Sequence, residues 1–510
     1  MEGSITVEFC TGEKPLILNS AKSYIVEKVV IAACKHIGIG PLPRHLFGLW
    51  SPSELLWFPP SKKLELCNGK KWYLLLRLRF RPPNIKRLIE KTDAKTFGYY
   101  FHQVRNDFLE GKIPELFTRQ LRESALGLVA TDIIRLMLEL KLSPDTMKYN
   151  SRDFLPQELK RSPLWDNFLR DPLQKAVSRG WKNSRQNPEF VKEKYLQQLT
   201  DLVPDYGSEV YPVLIDDGGK VYEVTLAVSP YHSIYPGLRM RFQRSKDTWT
   251  HICSIEDLCY ISMRNDETVE ISRQNGVPQY LQFNGKPQMY SFVSLLDGYY
   301  RLTEKWTFNL CKDLTTPSLI ELRAMKCHGP VGPEFAHQKL EEKCNFEAGC
   351  YILRESEFKY DEYYVDLCVN INSTHPEKVY TFKIYKDENY FYTLHGWRAS
   401  FPSIAQLLSY HSKENHLKFT RCIPPSEYDK TDLLLCRKES HGNHNLVTRG
   451  DCSCTAQCIP HDAIVFSKNV AELYGQLTVV SHGHLRRSCS DSRSVAVKML
   501  RKETKVTHLQ

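Results

Sequence analysis

The period of the hydrophobic pattern switches along the chain, and the runs between switches mark out units of different secondary structure. SITVEFC alternates, as a strand does, and LILN continues after the turn signal TGEKP. SYIVEKVVIAACKHIGIG then places Ile25, Val29, Ala32, Ala33 and Ile37 at helical spacing, with Gly38 suited to end the helix. HLFGLW, LWFPP and KWYLLLRLRF return to short strands. Between 85 and 205 the period lengthens. FGYYFHQVRNDFLEG, ESALGLVATDIIRLMLELKL and EFVKEKYLQQLTDLV read as amphipathic helices, and Leu126, Val129, Ile133, Leu136 and Leu140 share one face. From 207 to 310 alternation resumes in seven short runs, SEVYPVLI, KVYEVTLAV, MRFQ, HICSI, CYISMR, TVEISR and YLQF, with DDGG and QNG as turns. MYSFVSLLDGYYRLT follows as a helix that Gly298 is expected to end.

At 510 residues the chain is long enough for three or four domains. The expected class is multidomain α+β. Residues 1–84 have the β-β-α-β order of a ubiquitin-like roll, 85–206 form a helical bundle, and 207–321 have the strands and closing helix of a PH-like barrel. Residues 322–437 make a further α+β unit: a helix near FAHQKLEE, the strands CYILRES, YYVDLCVN, VYTFKIYK and YFYTL, and a helix at SIAQLLSYH. Residues 438–463 are polar and aperiodic, a linker, and 464–510 hold strand-like pieces.

In CYILRES an arginine, Arg354, sits inside an apolar run, and strands do not bury a charge without a partner. A guanidinium fork can take a phosphate through two parallel hydrogen bonds, and Ser356 could donate a third. The bland alternative is an exposed arginine on an edge strand. GCYILRES resembles the phosphotyrosine-pocket strand of SH2 domains, and Cys327-His328-Gly329-Pro330-Val331 resembles the W-x-H-G-x-I opening of that fold, with Cys327 in place of tryptophan. The resemblance makes Arg354, Ser356 and Lys383 the anion pocket. An arginine usual early in the first SH2 helix falls on Pro333, and a histidine usual on the fourth strand falls on Thr381. Two occupants stay open: phosphotyrosine, or an acidic side chain or fixed peptide.

A ubiquitin-like roll, helical bundle and PH-like barrel in this order resemble a FERM domain, and FERM followed by SH2 resembles the N-terminal half of the Janus kinase family. HLFGLW…LWFPP, LGLVATDIIRLM, VKEKYLQQLTDL, FVSLLDGYYRLT and KCHGPVGPEFAHQKL carry that resemblance. It implies a module that grips the cytoplasmic tail of a cytokine-type receptor, with Leu173, Val177 and Trp181 of DPLQKAVSRGW near an apolar groove for a proline-rich motif. The bland reading of that stripe is helix core. LYGQLTVVSHG followed by SVAVKML resembles the start of a pseudokinase lobe, with Gly475, Gly483 and Lys498 as remnants of a nucleotide site. H-R-D, D-F-G and A-P-E motifs are absent, so the chain as given is expected not to be an enzyme. No cofactor is expected. ATP and magnesium would serve only a full-length parent, a tyrosine kinase acting on the receptor and on STAT-type transcription factors. The rival reading is a FERM adaptor joining membrane or cytoskeleton to tyrosine-phosphorylated partners.

Composition narrows the setting. The net charge of +10 permits acidic partners or an anionic membrane without demanding either, and no basic–aromatic signature calls for nucleic acid. RLRFRPPNIKRLIEK is basic with apolar residues between; a solvated face is its bland reading and anionic lipid its sharper one. The 16 cysteines lack a dense framework, which suits free thiols in a reducing compartment. Cys452, Cys454, Cys458 and His461 lie close together, but C-x-C-x3-C-x2-H in a linker is a poor zinc spacing, so no metal is expected. With neither a signal-peptide pattern nor an 18-residue apolar run, the expectation is a cytoplasmic chain, peripheral at the inner face of the plasma membrane or endomembranes.

Overall fold

The strands at the two ends of the first lobe lie side by side. β1 (Ser4–Glu8) pairs with β2 (Leu16–Leu18). β3 (Ser23–Ile25) leads into α1 (Val26–Ile37), followed by β4 (Phe47–Ser51), β5 (Leu56–Trp57), β6 (Lys63–Glu65) and β7 (Lys71–Leu78). The sheet order is β2-β1-β7-β4-β5, and β1 runs parallel to β7. Parallel neighbours need a crossover, and α1 lies in it. α1 buries Val26, Val29, Val30, Ala33 and Ile37. The expected stripe is therefore rotated by one position at its start: β3 pairs with β6 through Ile25↔Lys63, so Ile25 ends a strand and stays exposed. Gly38 ends the helix at φ 74°, which only glycine adopts without strain.

The computed structural model describes residues 3–118, 121–143, 150–160, 170–217, 219–243, 248–274, 276–370, 378–414 and 418–438, with four strands between 464 and 500. They belong to two compact units, Met1–Glu439 and Ser440–Gln510.

The helical lobe comprises α2 (Ile85–Lys91), α3 (Ala94–Leu109), α4 (Arg122–Glu139), α5 (Gln157–Lys160), α6 (Arg170–Asn183) and α7 (Pro188–Leu202). α4 packs against both α6 and α7. It buries Leu126, Leu128, Val129, Ile133, Ile134 and Met137, so it is apolar on more sides than the single face its sequence suggested, as a central helix must be. Leu140, expected on that face, lies beyond the last turn and is exposed.

The third lobe has β8 (Glu209–Asp217), β9 (Lys220–Ser229), β10 (Gly237–Phe242), β11 (Thr250–Cys253), β12 (Leu258–Met263), β13 (Thr268–Arg273) and β14 (Gln279–Phe283), in the order β11-β10-β9-β8-β14-β13-β12. Its last helix, α8 (Lys286–Thr303), packs on this sheet and on the first lobe. Gly298 does not end it; the helix runs on for more than a turn. Glycine serves close approach instead, because a Cβ there would stand 2.2 Å from the Cζ atom of Phe80.

α9 (Pro317–Met325) leads into the fourth lobe. β15 (Cys327–Pro330), α10 (Pro333–Cys344), β16 (Cys350–Glu355), β17 (Glu362–Cys368), β18 (Val379–Lys386), β19 (Tyr392–Leu394), β20 (Ser400–Phe401), α11 (Ile404–Glu414) and β21 (Arg421–Cys422) follow. The sheet runs β15-β16-β17-β18-β19-β20, with β21 also on β16. The chain then returns to the first three lobes. Leu433, Leu434, Leu435 and Cys436 are buried. Arg87 of α2 donates to the carbonyls of Leu434 and Leu435 at 2.8 and 3.0 Å, the Cys436 N–H donates to Leu302 O at 2.9 Å, and Tyr231 Oη donates to Cys436 O at 2.6 Å.

In the second unit β22 (Ile464–Phe466), β23 (Leu473–Tyr474) and β25 (Ser492–Leu500) each pair with β24 (Thr478–Arg486). Gly483 stands opposite Val495, and Lys498 opposite Val480. Gly475 and the cluster Cys452, Cys454, Cys458 and His461 lie outside the described residues.

Two consequences of α8 are measurable. Gly298→Ala should cost about 1–3 kcal/mol by overpacking against Phe80, and Phe80→Leu should recover part of it; an unchanged melting temperature in Gly298→Ala contradicts the packing. Asp297 is buried and accepts the Leu310 N–H at 2.8 Å. Burial pushes its pKa up to about 6, against the opposing pull of Arg301 and of backbone donors. A carboxyl that holds its proton more tightly when folded loses stability as pH rises from the unfolded pKa to the folded one. The stability of Asp297→Asn relative to wild type should therefore rise by about 2–3 kcal/mol from about pH 4 to about pH 7. A difference that stays flat with pH would contradict this.

Candidate functional site

The ladder registers of β16, β17 and β18 decide which side chains share a face. Arg354 stands opposite Tyr364 and Tyr364 opposite Lys383. Asp366 stands opposite both Ile352 and Thr381, and Glu362 opposite Tyr385. Since strand side chains alternate, Arg354, Tyr364, Asp366, Glu362, Lys383 and Thr381 line one face. That face carries two cations and two carboxylates.

Arg354 is 4% exposed and Asp366 2%. The Arg354 Nε donates to Asp366 Oδ2 at 2.7 Å, and Nη2 lies 3.5 Å from Oδ1. Nη1 donates to Val331 O at 2.9 Å. The guanidinium lies 4.7 Å from the centroid of the Tyr364 ring. Thr381 Oγ1 donates to Asp366 Oδ1 at 2.6 Å, so the carboxylate is held from two strands. The pocket arginine is thus satisfied inside the chain.

The other two expected ligands are engaged as well. Lys383 Nζ lies 2.8 Å from Glu362 Oε2, and Tyr364 Oη donates to Glu362 Oε1 at 2.6 Å. Burial alone would push the Glu362 carboxyl up, but these two donors hold it below its usual range. Ser356 Oγ accepts the N–H groups of Phe358 and Lys359 at 3.3 and 3.2 Å and caps the turn after β16. That turn is anchored on the first lobe: Tyr360 Oη donates to Ile39 O at 2.9 Å, and Lys35 pairs with Asp361. Burial pushes the Glu357 carboxyl up; Arg354 opposes the shift, while Asp432 and Glu334 add to it.

Leu173, Val177 and Trp181 fall on α6, but they do not line an open groove. Leu173 and Val177 are buried in the core and Trp181 is partly buried against it. The outward face of α6 carries Gln174, Lys175, Ser178, Arg179 and Lys182. The stripe has become core because α6 packs on α4.

The basic stretch at the end of β7 is neither a solvated face nor a lipid face along its RLRFR part. Arg77 pairs with Asp107 of α3. Arg79 grips Glu209 of β8 at 2.7 and 2.9 Å and also donates to Ser294 Oγ and Ser291 O. Arg81 faces the Tyr206 ring at 5.8 Å. All three line a cleft of about 620 Å³ between the first three lobes. Lys70, Lys71 and Lys86 remain exposed.

Sequence reasoning missed Asp366 and Glu362. The available signal was YYVDLC, an apolar run with one aspartate, on the strand next to an apolar run with one arginine. Single opposite charges in two adjacent buried runs are partners by default.

Comparison with known proteins agrees with the order of the lobes. The FERM F1 ubiquitin-like domain matches residues 7–88, the Jak1 pleckstrin homology-like domain residues 238–306 and the SH2 domain residues 325–425. The tyrosine-protein kinase hopscotch of Drosophila melanogaster is 25% identical over 85% of this chain and 42% of its own length. The tyrosine-protein kinase JAK3 of Rattus norvegicus is 25% identical over 94% of this chain and 46% of its own length. For the tyrosine-protein kinase JAK1 of Danio rerio the figures are 25%, 81% and 43%. The chain spans less than half the length of each of these relatives. Among solved structures, the FERM and C-terminal domain complex of Drosophila Merlin overlays 59% of this chain and 95% of that one at 17% identity and a TM-score of 0.44, too loose to bear on the assignment. The chain carries FERM and SH2 domains and is similar over most of its length to tyrosine-protein kinases of the Janus type.

Proposed function

We propose that this chain is the receptor-docking part of a Janus-type tyrosine kinase and that it grips the cytoplasmic tail of a cytokine-type receptor in JAK–STAT signalling. One observation carries the reading. The FERM lobes and the SH2 domain belong to a single compact unit, tied by the buried Leu433–Cys436 segment and by the Tyr360 contact, so a tail could be held along both at once. Two weak anchors on one body raise avidity through effective concentration.

The kinase relatives support the same reading, because a docking region is what a kinase needs to find its substrate. In a longer parent, ATP and magnesium would serve the catalytic part, and the receptor and STAT-type factors would be its substrates. No described helix is long and apolar enough to cross a membrane. A cytoplasmic position at the inner face of the plasma membrane or endomembranes follows from the partner: the tail it reads begins at the bilayer.

The groove for a proline-rich motif is not the Leu173–Val177 stripe, which the core uses. The outward basic face of α6 is the alternative on the same helix, and it suits a tail that carries acidic residues. Titration of the full chain with a membrane-proximal, proline-rich receptor peptide tests the proposal. Saturable binding, weakened roughly tenfold or more by Lys175→Glu together with Arg179→Glu, is expected. Binding only to a tyrosine-phosphorylated peptide, with none to the proline-rich one, would favour the adaptor reading instead.

A further inference from the structure

We infer that Asp366 sets the specificity of the Arg354 pocket: its carboxylate takes, from within the chain, the place a phosphate would occupy, and so excludes phosphotyrosine. The inference rests on the receptor-docking reading and deepens it, since the tail would then be read without phosphorylation at this pocket.

Three of the five N–H donors of the guanidinium are taken inside the chain. A guanidinium binds a two-oxygen anion along its Nε–Nη2 edge. Here Asp366 holds that edge, at 2.7 and 3.5 Å. Val331 O takes Nη1, and the Tyr364 ring lies against the group at 4.7 Å. Asp366 is no loose competitor. Thr381 orients it, and its strand is paired on both sides. An incoming phosphate must displace a carboxylate already in position, which loses no translational freedom on binding.

The surroundings act in the same direction. Glu357 and Glu334 both lie beside Gly332, and Arg354 acts on Glu357, so a dianion approaching from that side would meet like charge. The turn after β16 is anchored to the first lobe through Tyr360, so it is not free to fold over a ligand. Lys383 is paired with Glu362. The bland alternative is a buried ion pair that holds the sheet together and has no bearing on ligand choice.

The test is titration of the full chain with phosphotyrosine and, in parallel, with inorganic phosphate. Wild type should show no saturable binding of either. Asp366→Asn removes the counter-charge while keeping the side chain's shape, and should bind phosphotyrosine saturably, at least roughly tenfold more tightly than the detection limit that bounds wild type. Arg354→Gln combined with Asp366→Asn should lose that gain. Should Asp366→Asn prove too unstable, Thr381→Ala keeps the ion pair, removes one hydrogen bond from Asp366, and should give a smaller gain of the same sign. A gain for inorganic phosphate equal to that for phosphotyrosine would place the effect on the phosphate group alone, still through Asp366. The inference is overturned if wild type binds phosphotyrosine and Arg354→Gln abolishes it, or if the folded variants bind no better than wild type. The proline-rich peptide, titrated into the same samples, separates the two readings: its binding can persist while this inference fails, and its loss in wild type defeats the docking proposal.

Discussion

A guanidinium cannot shed its proton, so an arginine buried in this fold needs a counter-charge, and each fully buried arginine among the described residues has one. Arg79 meets Glu209 at the seam of the first and third lobes. Arg77, partly buried, meets Asp107 at the seam of the first and second. Arg44 lies 3.6 Å from Glu27, which also accepts Ser318 of α9. Arg354 meets Asp366 within the SH2 domain. Two of these four pairs join the first lobe to another, and the carboxylate of a third, Glu27, reaches Ser318 of α9, so they help to fix the positions of the lobes as well as satisfying charge. Removing one partner strands the other in a dry site, typically at about 3–5 kcal/mol, whereas an exposed pair is worth about 0–1 kcal/mol. These pairs add to the apolar core that the first three lobes share.

The same constraint shapes the candidate site. An SH2 fold offers an arginine on the strand that carries CYILRES, and in a free-standing domain that arginine would need an external anion. Here the neighbouring strand supplies Asp366, and the adjoining turn is tied to the FERM body through Tyr360. Fusion and closure of the pocket go together: the turn that a ligand would have to move is also a lobe contact. On the docking proposal, recognition then falls to the outer surfaces of the joined unit.

Much of the element order was legible in the sequence, because periods of 2 and 3.6 survive whatever the chain packs against. Gly38 was legible because a glycine after an apolar helical run has a local reason to end it. Gly298 was not, because its reason is Phe80, a residue of another lobe. The alternation in RLRFR put three arginines on one face, but whether water or protein met that face depended on Asp107 and Glu209, distant in sequence. The stripe of Leu173 and Val177 had the spacing of either groove or core, and only the packing of α6 on α4 decides. Arg354 was legible as a residue in need of a partner, and the partner stood one strand away in YYVDLC.

The central claim is that Arg354 is satisfied by the chain itself. Its Nε–H proton reports this directly, as a resonance assigned by its loss in Arg354→Lys. A single signal in slow exchange with water, unmoved by millimolar phenyl phosphate, is the predicted result, since a group with 4% exposure has its Nε–H engaged at 2.7 Å by Asp366. A signal that exchanges fast, or that shifts in proportion to added phenyl phosphate until it saturates, would mean that the fork is open and that the account of this pocket is wrong.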